Sequence, residues 1–195
     1  MICMYNTNIV SKKMTNICKC SKAVLQTPIG LICVTACNVG VHSIKLTAAT
    51  ELPTGHDDRV TTSITEAPDH WPAALRECTD WLAMYFKNAE AAYQRPLPLF
   101  HRPDAKPETF TYRVWETLTS QVPCGQTVSY AQLAAMAGNN KACRAVGGAM
   151  RANQIAILMP CHRVTASGGG LGNYMSGNGN ALKKWLLDHE GVTFK

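Results

Sequence analysis

Acidic side chains are scarce in this chain, and scarcest in its second half. Thirteen Asp and Glu face nineteen Lys and Arg, a formal charge of +6, and from Thr109 onward the balance is three against eight. No apolar run approaches the roughly 20 residues of a membrane helix, and Met1 to Lys22 lacks the unbroken apolar core of a secretory signal, so neither a span nor export is expected. With 16% charged and 46% hydrophobic residues and a mean hydropathy of -0.09, neither disorder nor low-complexity bias is expected. No internal repeat is visible, so a solenoid or propeller is not supported. What remains is a globular protein of 195 residues, one large or two small domains. Its basic second half is compatible with a polyanionic partner.

Cysteine is plentiful. Nine thiols (Cys3, Cys18, Cys20, Cys33, Cys37, Cys78, Cys124, Cys143, Cys161) in a chain with no export signal read as buried thiols, metal ligands or nucleophiles rather than as a disulfide framework.

Four prolines between Arg95 and Pro107 oppose both helix and central strand, and mark the boundary between a first unit at 1–102, a linker at 103–108 and a second unit at 109–195. In the first unit, β-prone stretches at Leu31–Ala36 and Val41–Leu46 flank a hairpin turn, Cys37-Asn38-Val39-Gly40. Glu51 to Asp69 reads as a polar surface loop. Leu75, Cys78, Leu82 and Tyr85 then fall at helical spacing behind Pro72, placed in the first turn. In the second unit, Phe110, Val114 and Leu118 predict an amphipathic helix. Ser129 with Gln132 makes a capping box for a helix over Tyr130–Met136, stopped by Gly138. Asn139 or Asn140 is expected to cap the next helix, Ala142 to about Ala152, and a last helix covers Ala181–Glu190. Two short helices around a glycine-containing turn are the helix-turn-helix pattern.

The second of those helices reads ACRAVGGAMRAN. Gly147 and Gly148 each cost up to about 1 kcal/mol in a helix interior. Either another helix packs closely on Ala142, Ala145, Gly148, Ala149 and Ala152, or that smooth face enters a nucleic-acid groove with Arg144 and Arg151 beside it. After the buried run Ile155–Met159 comes Pro160-Cys161-His162-Arg163-Val164. A cysteine ending a rigid apolar segment, with imidazole next to it, suggests an activated thiol. In an extended segment the two side chains point apart, so His162 reaches Cys161 more easily through a water. The only acids in the last 79 residues, Asp188 and Glu190, are candidates to fix the imidazole.

VSYAQLAAMAGN, CRAVGGAMRAN, ILMPCHRV, LGNY and KKWLLDHEG, in that order, closely resemble the successive motifs of the O6-alkylguanine-DNA alkyltransferases, the O6-methylguanine-DNA methyltransferase family. The resemblance implies an α/β N-terminal domain, with an antiparallel sheet and a helix in a ribonuclease H-like arrangement, followed by a mainly α C-terminal domain with a helix-turn-helix. It implies a nuclear repair protein, a monomer open to cooperative binding along DNA, with no organic cofactor. Such a protein takes alkyl groups from O6-alkylguanine, and from O4-alkylthymine, in double-stranded DNA, through minor-groove binding and base flipping, in one turnover per chain. Two other readings are a lesion-binding module without transfer, which would lack the acceptor cysteine, and a cysteine hydrolase, which would not need Arg144.

Carried across residue by residue, the resemblance makes Cys161 the acceptor, His162 the water-bridged base and Glu190 its carboxylate. Asn153 ties the recognition helix to the active segment, and Tyr130 aids phosphate rotation and protonates the leaving guanine. Arg144 takes the place of the extruded base, and Arg151, Ala145, Gly148 and Ala149 share the DNA face. Tyr174 walls the pocket, and the Cys161 and Val164 carbonyls read the guanine amino edge. The loop after Tyr174 is about two residues longer than usual, so the N–H facing the guanine oxygen falls to Met175 or Ser176. Cys18, Cys37, His42 and His101 align with structural Zn²⁺ ligands of animal members; Cys3 and Cys20 lie near enough to compete.

Overall fold

The computed structural model describes residues 18–48, 52–53, 62–103, 105–175 and 179–192. Strands β1 (Ser21–Thr27), β2 (Gly30–Ala36), β3 (Val41–Ala48) and β4 (Ser63–Glu66) form an antiparallel sheet in the order β3-β2-β1-β4. The expected β2–β3 hairpin is present, its turn closed by the Cys37 N–H donating to the Gly40 carbonyl at 3.0 Å. Strand β4 corrects the sequence reading, which places it in a loop. All four of its residues are exposed, so the strand is held by backbone pairing to β1 and carries no apolar alternation. Helix α1 (Ala73–Lys87) buries Leu75, Cys78, Leu82 and Tyr85 against β1 and β2. Pro72 precedes it as the N-cap rather than standing in its first turn. A short α2 (Ala89–Tyr93), capped by Asn88, follows without having been expected.

The second unit begins with α3 (Phe110–Gln121), whose first turn is capped by the Thr109 hydroxyl. A two-residue β5 (Val128–Ser129) leads into α4 (Tyr130–Met136), with the Ser129/Gln132 capping box in place and Gly138 at φ +85° just beyond. Helix α5 (Cys143–Arg151) differs from expectation at its start, since its N-cap is Ala142 and makes no side-chain cap. The Asn139 side chain serves the preceding turn instead, accepting from the Lys141 N–H at 3.2 Å. Strand β6 (Val164–Thr165) pairs in parallel with β5, and α6 (Asn180–His189) ends before Gly191 at φ +80°.

The cores do not follow the boundary at 103–108. One cluster unites Leu25, Ile32, Val34, Leu75, Leu82 and Tyr85 of the first unit with Ile155, Ile157, Leu158, Tyr174, Leu182 and Leu186 of the second. A smaller one joins α3, α4 and α5 through Val114, Leu118, Leu133, Val146 and Ala149. The Ile44 N–H also donates to the Gln154 carbonyl at 2.8 Å, which ties the sheet edge to the segment ahead of Cys161.

Candidate active site

The segment is not extended: Cys161 opens a single turn of 3₁₀ helix, Cys161–Arg163. The turn separates the two side chains. Cys161 is half-buried at a cavity of about 1010 Å³, while His162 is fully buried behind it. The Asn153 amide uses both of its N–H bonds here, donating to the Met159 carbonyl at 2.9 Å and to Cys161 Sγ at 3.2 Å, and its oxygen accepts from the Ile155 N–H at 2.9 Å. It thereby braces a turn containing Ile157 at φ +70°, a left-handed conformation unfavourable for a β-branched residue. The Tyr93 hydroxyl donates to the Ile157 carbonyl at 2.7 Å and holds the same turn from the first unit.

His162 Nε2 lies 2.8 Å from Glu190 Oε1, and its Nδ1 is buried with no hydrogen-bond partner among the described residues. Arg163, also buried, donates twice to Glu190, at 2.7 and 3.0 Å, and once to the Val122 carbonyl at 2.7 Å. Tyr85 of α1 donates its hydroxyl to the same carboxylate at 3.0 Å. Burial by itself would raise the Glu190 carboxyl, but His162 and Arg163 outweigh it and hold that group well below the usual carboxylate range. Burial depresses His162 despite Glu190, so the imidazole rests neutral. Arg163 and Tyr85 escape the sequence reading: Arg163 sits inside the PCHRV motif with no role of its own, and Tyr85 reads as an ordinary core residue of α1.

Burial pushes the Cys161 thiol up, against hydrogen bonds from Asn153 and Tyr174 and the positive charge of Lys183. Tyr130, Arg151, Tyr174 and Met175 line the cavity with Cys161, together with Ile44 and Lys45 of β3. Gly172, at φ +71°, lets the Tyr130 ring close in, since a Cβ there would stand 3.3 Å from its Cε2. Burial also raises Tyr130, which keeps its hydroxyl proton. Val164 is buried and its carbonyl accepts from Lys183 Nζ at 2.6 Å, leaving one lone pair. Ser176 lies outside the described residues.

On α5, Arg144, Ala145, Arg151 and Ala152 are exposed and Gly148 is half-exposed. Ala149 is a correction, because it is 1% exposed and its carbonyl accepts from Trp115 Nε1 at 2.9 Å, which removes it from any outward face. A Cβ added at Gly147 or Gly148 would meet nothing within 4 Å among the described residues. Close packing among the described residues therefore does not explain either glycine.

A second cluster gathers around the β2–β3 turn. The ligand atoms of Cys18, Cys37, His42 and His101 all fall within 4.8 Å of one another. The separations from His42 Nε2 to Cys18 Sγ, Cys37 Sγ and His101 Nδ1 are 3.3, 3.2 and 3.1 Å, and Cys37 Sγ to His101 Nδ1 is 3.2 Å. Bonds of about 2.0–2.3 Å at tetrahedral angles would space such donors by about 3.3–3.8 Å. The Val41 N–H donates to the Leu99 carbonyl and the His101 N–H to the Val41 carbonyl, which sets the two histidines side by side. Gly40 permits this approach, since a Cβ there would lie 2.6 Å from the Leu99 oxygen. Cys20 Sγ is 3.9 Å from Cys18 Sγ, and Cys3 is outside the described residues.

Residues 109–192 match the family model described as 6-O-methylguanine DNA methyltransferase, DNA binding domain. The chain is 44% identical over 186 residues to the methylated-DNA--protein-cysteine methyltransferase of Mus musculus, covering 92% of this chain and 85% of that protein. It is 44% identical to the Homo sapiens protein of the same name, with 89% and 82% covered. Its fold is similar to that of the crystal structure of Mycobacterium tuberculosis OGT in complex with DNA, with a TM-score of 0.61, 27% identity, and 87% and 92% of the two chains covered.

Proposed function

The chain belongs to the O6-alkylguanine-DNA alkyltransferase family, and from that premise we propose which of its residues carry the reaction. The activity is direct reversal of DNA alkylation: an alkyl group leaves O6 of guanine in DNA and stays on a cysteine of the protein, with no organic cofactor. The acceptor is Cys161. One observation carries that assignment: Cys161 is a cavity-facing thiol held by Asn153 beside a neutral, buried imidazole already engaged by Glu190.

His162 Nδ1 takes the thiol proton through an intervening water, and Glu190 steadies the charge that His162 then bears. The Cys161 sulfur attacks the alkyl carbon in line, the S–C bond forming as the C–O6 bond breaks. Tyr130 protonates the leaving guanine. Tyr174 walls the pocket and Met175 stands at its rim. A thioether is not reversed by any group in the site, so each chain acts once. O4-alkylthymine fits the same chemistry. We place the protein in the nucleus, where its substrate is, acting as a monomer.

After incubation with O6-benzylguanine, mass spectrometry should find one benzyl group per chain, on Cys161. No adduct would favour a binding module, and free enzyme with released benzyl alcohol would favour a hydrolase.

The division of labour follows the chain, with 1–102 as scaffold, 103–108 as linker and 109–195 as the DNA-binding and transfer unit. Arg144, Arg151, Ala145 and Gly148 form the face of α5 that enters the minor groove, and Arg144 fills the gap left by the flipped base. Arg144→Ala should slow repair of duplex DNA by at least about tenfold, since flipping costs a few kcal/mol, while leaving reaction with free O6-benzylguanine nearly unchanged. Equal losses in both assays would remove the arginine from base flipping.

Two thiolates and two imidazoles at these separations suit a closed, structural Zn²⁺ site, held by Cys18, Cys37, His42 and His101. It would pin the start of β1, the β2–β3 turn and the 99–101 segment together. Elemental analysis of metal-replete protein should give about one zinc per chain. A zinc-free but fully folded preparation would overturn the proposal.

A further inference from the structure

The cluster at the β2–β3 turn has one more thiol beside it than a closed tetrahedral site can use. Cys18, Cys37, His42 and His101 already supply four donor atoms within 4.8 Å of one another. Cys20 stands outside that set. Its Sγ lies 3.9 Å from Cys18 Sγ, and its S–H donates to the Cys18 carbonyl at 3.6 Å, so the two side chains share one side of the chain. The three thiols differ in access: Cys37 is 1% exposed, Cys18 is half-buried and Cys20 is exposed. A reagent in solution therefore meets Cys20 first. Lys19 and Lys22 are exposed beside it, which favours an anionic reagent. Both cysteines precede the first pair of the sheet, Ser21 with Ala36, so no β-ladder fixes their backbone. A disulfide bond measures about 2.05 Å, and the sulfurs need to close by only about 2 Å to form one.

We propose that Cys20 and Cys18 form a redox modification site, oxidised to a disulfide by small disulfides such as glutathione disulfide, and that the bond takes one ligand away from the zinc. The inference rests on the zinc reading above. In the first step the Cys20 sulfur attacks one sulfur of glutathione disulfide; a mixed disulfide forms, and the thiol proton leaves with the first glutathione. Cys18, a thiolate while it holds the metal, then attacks the Cys20 sulfur. The Cys18–Cys20 bond forms as the Cys20–glutathione bond breaks, and the second glutathione leaves as a thiolate that takes a proton from water. Two protein thiols are oxidised, and one glutathione disulfide is reduced to two glutathiones. Cys37, His42 and His101 are then the donors left, and a closed site has become an open one. The start of β1 is no longer pinned to the β2–β3 turn.

The test exposes zinc-loaded, full-length wild type and Cys20→Ser to glutathione disulfide. Zinc release is followed with a chromogenic chelator, and disulfides are mapped by mass spectrometry of peptides after the remaining thiols are blocked. The wild type should release about one zinc per chain as a Cys18–Cys20 linkage appears, and dithiothreitol with fresh zinc should reverse both changes. Cys20→Ser should begin with the same zinc content and lose it at least about tenfold more slowly, because a neighbouring thiol acts at a far higher effective concentration than a second molecule from solution. Equal release rates, zinc retained by the wild type, or a linkage of Cys18 to Cys37 in place of Cys20 would overturn the proposal. So would a Cys20→Ser chain that binds no zinc, since Cys20 would then be a ligand and not the spare thiol. A reduced, folded wild type without zinc removes the metal reading and this inference together. Zinc that is bound, yet released alike from both proteins, removes this inference alone.

Discussion

Cys161→Ala is expected to give a protein that binds alkylated duplex DNA as tightly as the wild type and transfers no detectable alkyl group to itself. The sulfur is the only atom removed from the cavity wall that the reaction consumes. Its loss leaves one Asn153 N–H without an acceptor while the other still reaches the Met159 carbonyl. A single unmade hydrogen bond costs about 1 kcal/mol, which for a chain of this size lowers the melting temperature by about 2–4 °C. The fold and the α5 face should therefore survive, and electrophoretic shifts with alkylated DNA should coincide with those of the wild type. Any transfer retained by this variant would end the assignment of the acceptor.

Glu190→Gln should have the largest effect on stability. The carboxylate receives His162, Tyr85 and both Arg163 bonds in a buried site, and the amide would leave Arg163 charged with no counter-charge. Breaking a buried pair from one side costs about 3–5 kcal/mol. The pH dependence has a definite sign. Glu190 is held below its unfolded value of about 4.3, so its contribution is present above that pH and is lost as acid protonates the unfolded chain first. His162, held below about 6.5, adds a second loss beginning nearer neutrality. Urea unfolding of the wild type should thus weaken in two stages on acidification, and Glu190→Gln should lack the lower one. A variant of wild-type stability with the same acid profile would remove Glu190 from the centre of the network. Transfer should fall as well, because His162 would lose its orienting partner.

Much of the fold is legible where the signal is local. The Ser129/Gln132 box, the Cys37–Gly40 turn and the helical spacing from Leu75 to Tyr85 depend on neighbours within a few residues, and each appears in the fold. The motif around Cys161 locates the nucleophile but not its surroundings. Tyr85 meets Glu190 across 105 residues, and Tyr93 meets the Ile157 carbonyl across 64, distances at which spacing carries no information. Strand β4 is invisible in the sequence because pairing to β1 requires no side-chain pattern. Ala149 is misplaced by sequence because a small residue reads the same whether it faces a groove or supports Trp115. Lysine in a charged helix reads as solvated, and only α6 packing on the 3₁₀ turn shows otherwise for Lys183.

The open space over Gly147 and Gly148 has an evolutionary corollary. Alanine at either place would firm up α5 by as much as about 1 kcal/mol without disturbing any described neighbour, so mutation has an easy uphill path in ruggedness. On the proposed reading, each such gain thickens the one surface that must slide beneath a sugar-phosphate wall, and the sturdier molecule is the poorer tool. Ranking natural or engineered variants of this chain by heat resistance would then promote those least able to mend a genome.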